Sequence, residues 1–250
     1  MRSTFVPHVQ WSSKYLAAFV GILGTTISPY LFFWQASQEV EEELHMGRET
    51  LEEREGATDR ELKIAEIDVD VGMVFASMVF YFVILASAAT LHVAGKTDIQ
   101  TATEAAEALR PLSGTGATIL FALGLIGCGF LAVPVLTGAS AYAVGEALGW
   151  KCGLNEKLHT APRFYGIIVA STLIGMLINF LKIAPVTALF WTAVINGVLA
   201  PPLLVMIMLV SNNKKVMGTR VNGRLTNFIG WATAAVMSVA ALGMFLTWGK

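Results

Sequence analysis

The residues best suited to chemistry lie in the middle of the first apolar segment, where residues 24–30 read GTTISPY. Apolar residues run from about Tyr15 to Trp34, which is long enough for a helix to cross a bilayer at about 1.5 Å per residue. Pro29 cannot donate a backbone hydrogen bond, and it disfavours helical dihedral angles at Ser28. A spanning helix broken here frees carbonyl groups that lipid cannot satisfy. Such a break is typical of the substrate or ion sites of secondary transporters.

The same residues allow a simpler interpretation, a proline kink in which serine and threonine side chains bond back to the helix. Spacing alone leaves both interpretations open. A second polar interruption lies in the fifth apolar segment, where Asn196 and Gly197 are followed by Pro201 and Pro202. Two interrupted apolar segments in one chain favour a binding site over a kink.

Other kinds of functional site have little support. Cys128 and Cys152 are too far apart for a zinc or redox motif, and the four histidines form no metal-ligand pair at helical spacing. The sequence has no Walker A, HExxH or GxSxG motif, so we predict neither an enzyme nor a bound cofactor. It also has no basic, aromatic-rich surface for nucleic acid.

Composition predicts an all-α polytopic membrane protein, because 55% of the 250 residues are hydrophobic and the mean hydropathy is +0.63. Six transmembrane helices are predicted within one transmembrane domain, residues 1–250. Their spans are about 15–36, 69–91, 115–148, 165–181, 186–210 and 228–248.

Two other features of the spans lead to specific expectations. A short amphipathic helix is predicted at 101–110, ended by Pro111. The third span is rich in small residues and is therefore expected to pack closely against other helices. These small residues include Gly124, Gly127, Gly129, Gly138, Ala141 and Gly145.

The charges predict an orientation in the membrane. Of the 17 basic residues, 11 lie in the connections 37–68, 147–164 and 211–227, which places these on the cytoplasmic side. The connection 37–68 is also acidic, since 13 of the 18 acidic residues lie between Glu39 and Asp70. It could attract cations, but a solubilising exposed loop is the favoured interpretation. Both ends of the chain would then face outward, which we expect of a piece whose upstream helices are missing.

Residues 24–43, GTTISPYLFFWQASQEVEEE, resemble the sixth transmembrane region of the natural resistance-associated macrophage protein (NRAMP) family. In that family a Met-Pro-His motif occupies the position of Ser28-Pro29-Tyr30. Residues 196–218, which end in SNNKKVMG, resemble the family's tenth helix and the cytoplasmic loop behind it. The resemblance covers nearly the whole chain as helices six to eleven.

The resemblance implies the second inverted repeat of a LeuT-type transporter plus one extra helix. It also implies proton-linked transport of divalent metals such as manganese, magnesium or iron, with the metal ion as substrate. The metal site would use the carbonyl of Thr25, the side chain of Ser28 and Asn196. Tyr30 stands where the family has a histidine implicated in proton movement. An integral, multi-pass protein of the plasma (inner) membrane is implied, with lipid, metal ions and protons as its partners.

Two departures from the family pattern alter the expected chemistry. Ser28 replaces a methionine whose soft sulfur favours transition metals, and a hydroxyl suits Mg²⁺, Mn²⁺ or Ca²⁺ better. Tyr30 cannot titrate near neutral pH as a histidine does. The family's first-helix Asp-Pro-Gly-Asn motif is absent from the sequence, so the full site would need the missing N-terminal helices.

Two alternatives stay open at this level. One is a LeuT-type transporter of a small organic substrate, whose carboxylate would bind at a helix N-terminus. The other is a truncated chain without transport activity. We also expect six such helices to be poorly stable alone, because the small-residue face of the third span would lack partners.

Overall fold

A computed structural model describes residues 11–93, 95, 99–181 and 183–247, and these residues contain helices but no strand. The helices are α1 (Ser13–Ile27), α2 (Tyr30–His45), α3 (Leu51–Arg54), α4 (Asp59–Ser87), α5 (Ala102–Ala147), α6 (Pro162–Phe180), α7 (Pro185–Ser211), α8 (Lys214–Met217) and α9 (Arg224–Thr247). A π-helical turn, Ala88–His92, follows α4. The predicted all-α fold is confirmed.

Five helical segments of the described chain are long and apolar enough to cross a membrane. They are Ser13–His45, which joins α1 and α2 across the break, Asp59–His92, Thr118–Ala147, Pro185–Ser211 and Arg224–Thr247. The predicted fourth span corresponds to α6, whose apolar part, Pro162–Ile178, is shorter than the other five.

Two helices begin before the apolar span that predicted them, because a polar residue caps the N-terminus of each helix at an earlier position. In α4, Thr58 and Glu61 form a capping box in which each side chain accepts the other residue's backbone N–H, at 3.2 and 2.7 Å. Helix α4 therefore begins well inside the acidic connection 37–68. In α5, the hydroxyl of Thr101 accepts the N–H of Glu104 at 3.2 Å.

The prediction that a short helix ends at Pro111 is wrong, since α5 continues through this residue to Ala147. A proline removes one backbone hydrogen bond, while the bonds on both sides can still hold the helix together. The predicted amphipathic helix and the third span are therefore one element.

The chain divides into two compact units. The first comprises Met1–Phe32 and Thr187–Lys250, and its described helices are α1, α7, α8 and α9 with the start of α2. Helix α1 packs against α9. The core residues of this unit are Leu16, Ala17, Val20, Val194, Ala240 and Met244.

The second unit, Phe33–Val186, is centred on the packing of α5 against α6. Tyr142 of α5 is buried between two aromatic rings, with centroids 4.9 Å from Phe164 and 5.9 Å from Trp34. A Cβ at Gly138 would overlap the Trp34 ring, so this glycine permits the close contact. By contrast, a Cβ at Gly124 would meet no described atom within 4 Å, and the same holds at Gly127 and Gly129. Among the described residues, therefore, only the second half of the small-residue face of α5 packs against another part of the chain.

The carboxylate of Glu41 holds the connection between α5 and α6. It accepts the hydroxyl of Tyr142, the N–H of Leu154 at 2.9 Å and the N–H of Asn155 at 3.3 Å. Gln38, one turn earlier on α2, donates to the same tyrosine oxygen at 3.1 Å. The end of α2 is thus tied to α5 and to the residues that follow it.

Candidate functional site

The first apolar segment is broken at Ser28. Helix α1 ends at Ile27, and Ser28 adopts a left-handed conformation with φ 45° and ψ 68°. Ser28 is the one described residue other than glycine with a positive φ. Pro29 disfavours the helical region for the residue before it, and the backbone of Ser28 leaves that region. The chain resumes as α2 at Tyr30.

The break brings two of the predicted ligand oxygens together. In a continuous helix the carbonyl of Thr25 would accept the N–H four residues later, but Pro29 has none. The hydroxyl of Ser28 donates to this carbonyl instead, at 2.8 Å. Each oxygen keeps a lone pair after this bond is made, so both could bind a cation without giving it up. Thr25 is exposed and Ser28 is half-buried.

The simpler kink interpretation also has a counterpart in the structure. The hydroxyls of Thr25 and Thr26 both donate to the carbonyl of Ile22, each at 2.8 Å. These are the side-chain bonds back to the helix expected at a proline kink. The threonine side chains therefore stabilise helix α1, while the Thr25 carbonyl and the Ser28 hydroxyl lie at the break itself.

A contact between two glycines brings the residues of the second predicted interruption next to the break. The interruption itself is not present, and that prediction is wrong, because α7 continues as one helix through Asn196, Gly197, Pro201 and Pro202. A Cβ on Gly24 would overlap the backbone of Ala193 and Gly197, and a Cβ on Gly197 would overlap the carbonyl of Val20. Helices α1 and α7 thus touch through their backbones at this point. This role of Gly24 and Gly197 was not predicted from the sequence. The available signal was a glycine directly beside a candidate ligand in each of the two helices.

Asn196 directly precedes Gly197, so its backbone adjoins the crossing at Gly24, the residue before Thr25. Asn196 is half-buried, and its amide makes no hydrogen bond to a residue that the structure describes. Its side-chain oxygen is therefore available as a third ligand. Tyr30 is the first residue of α2 and is half-buried.

The candidate ligands are uncharged. The described residues contain no group of three or more His, Cys, Asp or Glu side chains that could hold a metal ion. Carbonyl, hydroxyl and amide oxygens suit hard divalent cations, which usually also bind at least one carboxylate. The arrangement is therefore suited to part of a cation site.

The match to a protein family extends over nearly the whole chain. The family whose sequence model matches residues 1–247 is described as Natural resistance-associated macrophage protein-like, or Nramp. The chain belongs to this family. The resemblance inferred from residues 24–43 and 196–218 is confirmed.

Bacterial relatives of this Nramp chain carry the name divalent metal cation transporter MntH. The protein of Deinococcus radiodurans is 29% identical over 250 residues, covering 98% of this chain and 51% of the relative. That of Pectobacterium carotovorum is 28% identical over 245 residues, covering 96% and 53%. A third, from Caldanaerobacter subterraneus, is 27% identical over 248 residues, covering 98% and 54%. The chain spans about half the length of these curated relatives, in agreement with the predicted match to helices six to eleven.

Family membership and the apolar helices identify an integral membrane protein. Within this Nramp chain, the break at Ser28 coincides with the Met-Pro-His position inferred from the sequence. The ligand roles of Thr25, Ser28 and Asn196 and the proton role of Tyr30 stay predictions.

Proposed function

We propose that the protein transports divalent metal cations, the substrate class in its relatives' name, and that it does so by alternating access. The carbonyl of Thr25, the hydroxyl of Ser28 and the amide oxygen of Asn196 would bind the transported ion. The observation that carries this proposal is the oxygen pair at the break, 2.8 Å apart, beside the glycine crossing that brings in Asn196.

The ligand chemistry favours hard cations. Hydroxyl, carbonyl and amide oxygens prefer Mg²⁺ and Mn²⁺ over softer metals such as Cd²⁺, because no thioether is available at Ser28. We therefore place manganese and magnesium before iron among the candidate substrates. Since the three ligands are neutral, a carboxylate from elsewhere in the full protein would complete the site.

Proton coupling and location are further parts of the proposal. Tyr30 stands at the position that the family resemblance connects with proton movement, but this chain has a phenol there in place of the family's imidazole. We expect a different group to carry any coupled proton. The excess of Lys and Arg in three connections supports an orientation with residues 37–68, 147–164 and 211–227 in the cytoplasm, and the membrane we propose is the plasma membrane.

An organic substrate is less well supported by the geometry. A substrate carboxylate would need free N–H groups at the start of α2. The N–H of Leu31 donates to the carbonyl of Ser28 at 2.9 Å, and that of Phe32 donates to the carbonyl of Pro29 at 3.2 Å. These two N–H groups are therefore already hydrogen-bonded and are not free to bind a carboxylate.

Ion uptake with a Ser28→Ala variant tests the metal proposal. Cells expressing the full-length transporter should take up Mn²⁺ or Mg²⁺, and Ser28→Ala should weaken the apparent affinity about tenfold, because one ligand is lost. Ser238→Ala is the matched control: Ser238 is also half-buried, but its hydroxyl bonds back to Ala234 within α9, at 2.7 Å. Uptake of both ions that is unchanged in Ser28→Ala would rule out Ser28 as a ligand.

A further inference from the structure

Residues 211–227, from the last residue of α7 through the first turn of α9, are termed here the basic hairpin. It carries Lys214, Lys215, Arg220 and Arg224 and contains no Asp or Glu. All four cationic residues are exposed. Lys214, Lys215 and Arg224 form no ion pair with any residue that the structure describes. The hairpin therefore presents positive charge that nothing in its own sequence offsets.

Hydrogen bonds between its two ends hold the basic hairpin in shape. The side-chain amides of Asn212 and Asn227 each donate to the other's oxygen, at 2.6 and 2.8 Å. Asn222 donates to the hydroxyl of Ser211 at 2.8 Å. At the start of α8, the side chain of Asn213 accepts a backbone N–H at 3.0 Å. The cations are thus displayed from a backbone fixed at several points.

The flanking helices place this surface at the edge of the membrane. Both α7 and α9 are long and apolar enough to span a bilayer, so the short connection between them stays near the headgroups. Apolar side chains accompany the cations, since Val216 is 64% exposed and Leu225 is 72% exposed. Cations mixed with exposed apolar side chains are typical of surfaces that lie in the interface between headgroups and acyl chains.

We propose that the basic hairpin binds the headgroups of anionic phospholipids in the leaflet that it faces. The bilayer supplies this partner next to the hairpin, and its phosphates complement the cations. A Lys or Arg beside a spanning helix strengthens such binding by about fivefold. The inference does not depend on metal transport, because it uses only the position and the charge of the hairpin.

The test is a lipid titration of the purified full-length protein in detergent micelles, read by mass spectrometry of intact protein–lipid complexes. Phosphatidylglycerol is compared with phosphatidylcholine for the unaltered protein, for K214Q/K215Q and for R60Q/K63Q. The last is the matched control, because it removes two exposed cations from the acidic connection 37–68. We expect a preference for phosphatidylglycerol that falls about 25-fold in K214Q/K215Q, falls with added salt and is unchanged in R60Q/K63Q.

The charge-retaining variant K214R/K215R is the control for a folding defect caused by substitution at these two positions. We expect it to bind phosphatidylglycerol as the unaltered protein does. Equal binding of the two lipids, or equal losses in K214Q/K215Q and R60Q/K63Q, would overturn the proposal. Loss of binding in K214R/K215R would also overturn it, since charge would not then be the cause. If inorganic phosphate or an oligonucleotide at matched charge displaced the lipid completely, the hairpin would be a site for soluble anions instead.

Discussion

At the scale of single residues, Ser28 both shapes the break and sets its chemistry. Its left-handed backbone lets α1 end, and its hydroxyl replaces the N–H that Pro29 lacks as donor to the Thr25 carbonyl. A methionine, the residue of the family motif, would supply a soft sulfur but no donor to this carbonyl. With serine at position 28, the break therefore holds two hard oxygens and no soft sulfur.

The substitution Ser28→Met is expected to change the selectivity of uptake. Because a thioether favours softer ions, Cd²⁺ should compete with Mn²⁺ about tenfold better than in the unaltered protein, and Mg²⁺ should compete less well. The measurement is inhibition of Mn²⁺ uptake by each competing ion in cells expressing the full-length protein. An unchanged order of competition would mean that position 28 does not contact the ion.

At the scale of elements, the site depends on two helices that touch through glycines. The backbones of α1 and α7 meet at Gly24 and Gly197, next to the candidate ligands Thr25 and Asn196. Close backbone approach between helices in lipid requires residues without side-chain bulk. The register between α1 and α7, and hence the relative position of the candidate ligands, is set by this contact.

Gly24→Ala should destabilise the protein by about 1–3 kcal/mol, because the added methyl group overlaps the backbone of α7 and nothing short of moving a helix relieves it. Gly175→Ala in α6 is the control, since a Cβ there meets no described atom within 4 Å. The control should be neutral, or more stable by up to about 1 kcal/mol through its better helix propensity. Thermal unfolding of both variants of the full-length protein in detergent measures the difference. Equal melting temperatures would contradict the close crossing.

At the scale of the whole molecule, much of the helical surface has no partner among the residues that the structure describes. A Cβ at Gly124, Gly127 or Gly129 in α5 would meet no described atom within 4 Å, and many large apolar side chains of the spans are exposed. Lipid can cover the large side chains, but small residues in a membrane helix gain little from lipid and are typical of helix–helix contacts. This face of α5 therefore has the composition of a contact surface.

The 250-residue chain in detergent is accordingly expected to unfold over a broad temperature range. Helices that lack their packing partners come apart independently, so circular dichroism and tryptophan fluorescence should give different midpoints. Size-exclusion chromatography before heating should show several species. A single monodisperse peak with coincident, sharp transitions would show that the helices are sufficiently packed by themselves.

The sequence by itself determined where most helices lie and where the first one breaks. Apolar length marks a spanning helix in any context, and a proline lacks its N–H wherever it occurs, so the spans and the break at Ser28 could be predicted. The family could be predicted too, because short polar motifs inside apolar helices are rare enough to be specific.

The tertiary structure alone decided which residues meet. The contact of Gly24 with Gly197 and the bonds of Glu41 to Tyr142 and Leu154 join residues that are more than a hundred positions apart. Helix periodicity carries no information on such pairs, since it defines a face of a helix but not the helix that covers it. The uninterrupted course of α5 through Pro111 is decided at the same level, because one lost hydrogen bond is small against the rest of a 46-residue helix.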